Sequence, residues 1–432
     1  MKLTDTLNRL AAQVLYAADP ATAKPAPAAA QHPAGLYLGW GSKGPVLAGP
    51  QHHVLVLGPP RSGKTSRLLV PAVARHRGPA VVTSTKSDII RSTHPYRSRL
   101  GTCWYWDPSG TTVVPDGLEP VAWSPVTGCD TWDQAVARAH ALSGAARPTQ
   151  AAHDSHWVER AQALLAPLLH AAALSDSDLA VLLSWLHRRQ LDQPLSVLEH
   201  HEARRGADLL TGLAHTDSRE LSGIFSTADS LLAAYRTDAA LHAARHPTFD
   251  PDDFAASTDT LYLVSPAATQ HLHAAIVVAL LDQIRTATYR WHPKPPMLYA
   301  LDEVANIAPL PDLPASLAEG GSQGLVVMAS LQDLSQARAR WDKAADGFLT
   351  LFTHKIVLPG VADPATLKAI STLAGEIDVP VRSESTNRGR NWSSATSWTT
   401  RRQPRLPADQ VANTGAGSAI LISGTLLARV AI

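Results

Sequence analysis

Lys64 and Thr65 close the run Gly58-Pro59-Pro60-Arg61-Ser62-Gly63-Lys64-Thr65, which satisfies the spacing Gly-x-x-x-x-Gly-Lys-Ser/Thr. The chemistry that spacing suits is phosphate binding. Gly58 and Gly63 let the backbone curl so that the amide N–H groups between Gly58 and Ser66, Pro59 and Pro60 having none, turn inward, and the helix that follows offers its positive end to an anion. Lys64 is then placed to reach the β- and γ-phosphates of a nucleotide such as ATP, and the Thr65 hydroxyl to hold Mg²⁺. A tight strand-to-helix turn with a surface lysine is the plain alternative.

Asp302 and Glu303 end the apolar run Met297-Leu298-Tyr299-Ala300-Leu301. A nucleotide hydrolase needs acids in this setting: Asp302 to orient Mg²⁺ through water, and Glu303 to take the proton from the attacking water. Such a pair can also be a strand end followed by a helix N-cap. Gln332 follows the next apolar run, Gly324 to Ala329, where an amide could contact both the γ-phosphate and the lytic water. A helix-start glutamine explains it equally well.

These residues need a frame. Val54–Leu57, Ala80–Ser84 and 102–106 are short apolar runs separated by helical or turn stretches, and 260–264, 297–301, 324–329 and 355–358 resume the alternation. Alternating strand and helix predicts a parallel sheet with helices on both faces. Apolar residues between Thr131 and His246 recur instead at three and four, as in Leu164, Leu165, Leu168 and Leu169. Because Lys64 and Asp302 are too far apart for short crossovers, this block is expected as an inserted all-α domain projecting from the core. The expected organisation is a helix and linker at 1–34, a nucleotide-binding domain in two parts at 35–130 and 247–432, and the insertion at 131–246.

Composition sets outer limits. The chain has 432 residues, 45% of them hydrophobic and 17% charged, enough for a sizeable core, and its formal charge of +1 points to no particular partner. Cys103 and Cys129 imply no disulfide framework and fit a reducing compartment. The nineteen histidines show no zinc spacing. Leu3, Leu7, Leu10, Val14 and Leu15 predict one amphipathic helix before an Ala/Pro linker, and no apolar run is long enough to span a membrane. Residues 382 to 405 carry Arg382, Arg388, Arg390, Arg401, Arg402 and Arg405 against the single acid Glu384, with Trp392 and Trp398 between them. That mixture suits either a nucleic-acid strand or a solvated flexible loop.

Four blocks together resemble the TraG/TraD-like coupling proteins of conjugative type IV secretion systems: GPPRSGKT at Gly58 to Thr65, VVTSTKSD at Val81 to Asp88, LDEVANIAPLPDLPASLAEGGSQGLVVMASLQDLSQ at Leu301 to Gln336, and LPADQVANTGAGSAILISG at Leu406 to Gly424. The resemblance spans most of residues 35 to 432. It implies an α/β P-loop NTPase of the RecA/FtsK/HerA-like kind, forming a hexameric ring that uses ATP and Mg²⁺. The ring would pass single-stranded DNA with its relaxase, or effector proteins, to membrane secretion-channel subunits. The insertion would take part in recognising those substrates. The expected location is cytoplasmic, at the inner face of the cell membrane.

The chain departs from that pattern in three places. Only the short helix and linker precede the core where the family has membrane-spanning helices, so attachment is expected through a partner. Family members carry an arginine, in an Arg-x-x-Gly run, that reaches the neighbouring subunit's γ-phosphate; here the run is Gly321-Ser322-Gln323-Gly324. Either Arg338 or Arg340 takes over or the ATPase is slow. The second block reads Ser84-Thr85-Lys86-Ser87-Asp88 rather than Asp-Pro-Lys-Gly-Glu, and the role of Lys86 is open. Two other readings stay in play: a nucleotide-dependent receptor with little turnover, and a related DNA pump for replication or segregation.

Overall fold

The structure, a computed structural model, describes residues 35–110, 112–144, 152–387 and 393–432, with backbone only at 152–155, 384–387 and 393–395. The N-terminal helix and linker expected at 1–34, and Arg388, Arg390 and Trp392, lie outside the described residues.

Fourteen strands are described: β1 Tyr37–Gly41, β2 Gly44–Leu47, β3 Val54–Leu57, β4 Ala80–Ser84, β5 Cys103–Trp106, β6 Glu119–Pro120, β7 Thr260–Val264, β8 Met297–Leu301, β9 Leu325–Leu331, β10 His354–Val357, β11 Glu376–Asn387, β12 Ser393–Pro404, β13 Ser418–Ser423 and β14 Leu426–Ala431. Twelve form one sheet in the order β2-β1-β14-β13-β10-β3-β9-β8-β4-β7-β5-β6. From β10 to β6 every pairing is parallel, and the other end is an antiparallel extension. The central parallel strands are buried on both sides, which is why β3 (VLVL) and β8 (MLYAL) read as unbroken apolar runs; β6, at the end, is exposed.

Alternate residues of these strands feed two cores. Val54, Val56, Val82, Tyr262, Ala300 and Met328 face the helix that follows the phosphate loop, through Leu68, Leu69, Ala72 and Val73, and the helix Asp88–Arg97 through Ile89 and Ile90. Leu55, Leu57, Leu261, Tyr299 and Val327 face the other way, into one continuous cluster with the helix Gln270–Trp291 and with Leu164, Leu168, Leu182 and Phe225 of the helical block. Among the described residues 131–246 hold helices and no strand. The block does not stand off on a stalk: its apolar stripes pack on the helix Gln270–Trp291 and so join the core on that side of the sheet.

Cys103 and Cys129 are both buried and unpaired. No helix among the described residues is long and apolar enough to cross a membrane. Residues 382–404 differ most from a loop. Those of them that are described, 382–387 and 393–404, belong to β11 and β12, which pair without interruption from Glu376↔Pro404 to Asn387↔Ser393 as a separate two-stranded ribbon.

Candidate nucleotide site

All the parallel strands end at the same edge of the sheet, and that edge is where open α/β sheets place their ligands. β3 runs out at Leu57 into the loop Gly58 to Gly63. Beside it Gly58 N donates to Leu331 O (3.1 Å), so Gln332, the next residue of β9, comes abreast of the loop. β8, on the far side of β9, delivers Asp302 and Glu303. Every residue singled out for phosphate chemistry, from Gly58 to Ser66 with Asp302, Glu303 and Gln332, therefore occupies one edge.

The loop is shaped by its glycines. Gly63 has φ 97° and Arg61 φ 64°, so the chain makes two left-handed steps in three residues before the helix begins at Lys64. A Cβ on Gly58 would fall 2.7 Å from Ser62 Oγ and 2.8 Å from the Leu358 side chain, closer than real contacts allow. The buried Lys64 ammonium turns back over the loop and donates to Gly58 O (2.5 Å) and Pro59 O (3.0 Å). Burial lowers its pKa, and the charges of Asp302 and then Glu303 oppose that shift. Both carboxylates thus lie within electrostatic reach of Lys64.

Thr65 Oγ1 donates to Asp302 Oδ2 at 2.6 Å. Ser330 Oγ donates to Asp302 Oδ1 at 2.5 Å and accepts from Glu303 N at 3.2 Å, while Thr83 Oγ1 donates to Asp302 O at 3.0 Å. Asp302 is consequently held at both side-chain oxygens and at its carbonyl. Glu303 has φ 49° and ψ 48°, a left-handed conformation costly for a side chain of its size, and it breaks the strand there before the short helix Val304–Ile307. Gln332 N is capped by Gln336 Oε1 (2.8 Å).

Ser330 and Thr83 escaped the sequence reading. Ser330 is a lone hydroxyl near the end of a buried run (LVVMASL) and Thr83 one of two that close another (AVVTS), and that position was the available signal. The arginines weighed as substitutes for the absent family arginine are engaged within the chain. Arg338 pairs with Asp363 (3.1 Å), and Arg340 donates to Gly144 O (3.2 Å) and Pro309 O (3.3 Å). Gly321 precedes β9, so it belongs to the opposite edge, about 23 Å away along the strand. A Cβ there would meet Gln51 O at 2.5 Å.

The residues present suit Mg²⁺ and a polyphosphate. A hydroxyl and a carboxylate in contact form an all-oxygen donor set of the kind Mg²⁺ prefers, and Ser62 Oγ, inside the loop, is buried without a hydrogen-bond partner.

A family model described as "Type IV secretory system Conjugative DNA transfer" matches residues 16–426. The chain belongs to this family. Solved structures similar to this chain share its fold. The unbound bacterial conjugative coupling protein TrwBdeltaN70 aligns with a TM-score of 0.69 at 19% identity, over 93% of this chain and 89% of that one. TrwB in complex with ADP and Mg²⁺ aligns at 0.66 and 20%, over 88% and 84%. TrwB with a non-hydrolysable ATP analogue aligns at 0.65 and 20%, over 88% and 85%. A search of curated proteins by sequence returns no match.

Proposed function

We propose that this chain is the ATP-driven coupling motor of a conjugative type IV secretion system, drawing single-stranded DNA with its relaxase, or protein substrates, to the membrane channel. The observation that carries the reading is the 2.6 Å contact between Thr65 of the phosphate loop and Asp302 at the end of β8, with Glu303 and Lys64 beside it. Structures of the similar TrwB with ADP and Mg²⁺ or an ATP analogue support it.

In this mechanism Lys64 leaves its carbonyl partners for the β- and γ-phosphates and offsets their charge. Thr65 and Asp302 would hold Mg²⁺, which supplies charge neutralisation on the phosphate oxygens. Glu303, its carboxylate set by the backbone turn at φ 49°, accepts a proton from the attacking water, and Gln332 orients that water. The helices of 131–246 present the recognition surface for cargo, and copies of the chain form a ring.

Lys64→Ala should abolish nucleotide binding. Glu303→Gln should keep binding and lose DNA-stimulated ATP hydrolysis by at least about 10³-fold. Unchanged turnover in both variants overturns the motor. One observation favours a second reading, a nucleotide-dependent receptor: Arg338 and Arg340 are both engaged internally, and a missing trans arginine can cost about 10³–10⁵ in rate. Normal substrate transfer by the Glu303→Gln variant would decide for the receptor.

A further inference from the structure

The closing block Leu406 to Gly424, one of the four that carry the family resemblance, takes no part in the phosphate chemistry above. The sheet shows where it goes. β10 runs parallel to β3, with Val357 opposite Leu57, and β13 runs antiparallel to β10, with Ile420 opposite Val357. β13 therefore starts, at Ser418, on the edge where β3 becomes the phosphate loop, and the turn 413–417, between the helix Ala408–Ala412 and β13, lies on that edge too. One residue ties it to the loop: Gly360 N donates to Ala412 O (2.8 Å), and a Cβ on Gly360 would sit 3.1 Å from Pro59.

Strand order gives the direction in which a bound nucleotide lies. Asp302, Glu303 and Gln332, which surround the terminal phosphate in the proposed mechanism, belong to β8 and β9 on one side of β3. A triphosphate with its γ-end there leads its ribose and base toward the other side, over β10 and β13, about 10 Å away at two strand spacings. The turn 413–417 lies at that distance.

One side chain spans the gap. Arg67 is exposed; it runs past Gly63, where a Cβ would fall 2.9 Å from Arg67 Cδ, and reaches Gly417, where a Cβ would be 3.8 Å from Nη1. Among the described residues its guanidinium makes no hydrogen bond and no ion pair. Left-handed conformations at Gly415 (φ 93°) and Gly417 (φ 77°) open the turn. The N–H groups of Gly415, Ala416 and Gly417 and the carbonyl of Ala416 have no hydrogen-bond partner among the described residues. A planar cation beside unpaired donors and an acceptor offers what a nucleobase uses, a flat face to stack on and an edge to bond. An anion would use the cation and the donors and leave the carbonyl idle. We infer that Arg67 and the turn 415–417 form the base subsite, with a purine stacked on the guanidinium and its edge bonded to the turn. This deepens the nucleotide site and rests on the reading proposed for it.

Isothermal titration calorimetry on the full chain with Mg²⁺ compares ADP, CDP and pyrophosphate for the wild type, Arg67→Ala and Arg67→Lys, the lysine keeping the charge and losing the plane. ADP and pyrophosphate share the phosphate loop, so the ratio of their affinities isolates the nucleoside. The wild type should prefer ADP to CDP, because a purine covers more of the guanidinium. Each variant should lower ADP affinity about tenfold and narrow that preference, with pyrophosphate affinity unchanged in Arg67→Lys. An equal loss for ADP and pyrophosphate in variants of unchanged circular dichroism would make Arg67 a phosphate ligand, and unchanged ADP affinity a solvated side chain. Either result, or a wild type indifferent between ADP and CDP, overturns the proposal. A wild type that binds neither ADP nor pyrophosphate overturns the nucleotide site itself, a failure read without any variant.

Discussion

Ser330 does for the acids what Gly58 and Gly63 do for the loop. Its hydroxyl is completely buried, donates to Asp302 Oδ1 and accepts from Glu303 N, so one side chain orients the Asp302 carboxylate and anchors the strained residue after it. Ser330→Ala strands both groups. The expected result is a fall in kcat for ATP of about 10–100-fold, the usual cost of losing an outer partner of a metal ligand, with recovery in Ser330→Thr. Steady-state kinetics check it, and a rise in KM with unchanged kcat would contradict it. Ser330 shows why part of the site was hidden. Gly58 to Thr65 are contiguous, so their spacing could be read directly. A serine inside an apolar strand acquires meaning only once β9 lies against β8 with Ser330 abreast of Asp302, a register that long-range pairing sets.

Elements were legible in proportion to how one-sided their surroundings are. β3, β4, β7 and β8 are buried on both faces and bounded by Gly, Pro or acidic residues, so their limits were plain. β1 and β2 are interrupted by Gly39, Gly41 and Gly44 and sit at the sheet's end, and they carried no run long enough to see. The ribbon was obscured for the opposite reason: with both faces open, period-two alternation has nothing to distinguish, and Ser, Thr and Arg suggested a loop. The turn before β9 was noticed for what it lacks, yet packing gives Gly321 a positive reason. Gly321→Ala would place a methyl group 2.5 Å from the Gln51 carbonyl, a backbone atom with little room to yield. Destabilisation of about 1–3 kcal/mol is expected in denaturant unfolding, with Ser322→Ala, an exposed neighbour, as the unaffected control. For the same reason an arginine engineered at 321 should fail to repair the rate.

At the scale of the whole molecule, buried histidines are expected to make stability fall in acid. His53, whose Nδ1 accepts from Val327 N (3.0 Å), and His354 are both lowered to about 4 by burial and by the nearby His52. In the unfolded chain they take up protons near 6.5, so the unfolded state binds more protons than the native one as pH falls below that value. Stability should drop between about pH 6.5 and pH 4, by about 1.4 kcal/mol per pH unit for each histidine once the window is entered. Asp363, held below the usual carboxylate range by the Thr366 hydroxyl, contributes only below that window. Denaturant midpoints at pH 7.5 and pH 5.0 measure the effect, and His354→Asn should reduce the slope by nearly one proton.

The undivided core on the helical side of the sheet bears on how such a chain can diversify. Leu164, Leu168 and Leu182 of the block belong to one continuous apolar cluster with Leu57 and Tyr299 of the strands, joined to them across the helix Gln270–Trp291, so exchanging these helices between relatives as a cassette would mean repacking that helix as well. Arg340 fastens the block's first helix, at Gly144, to Pro309, a few residues past Glu303. Inward positions are tied to the core of the sheet, and only outward ones, such as the exposed Arg204 and Arg205, are at liberty to drift. A lineage that takes on new cargo is expected to record the change on that outer skin.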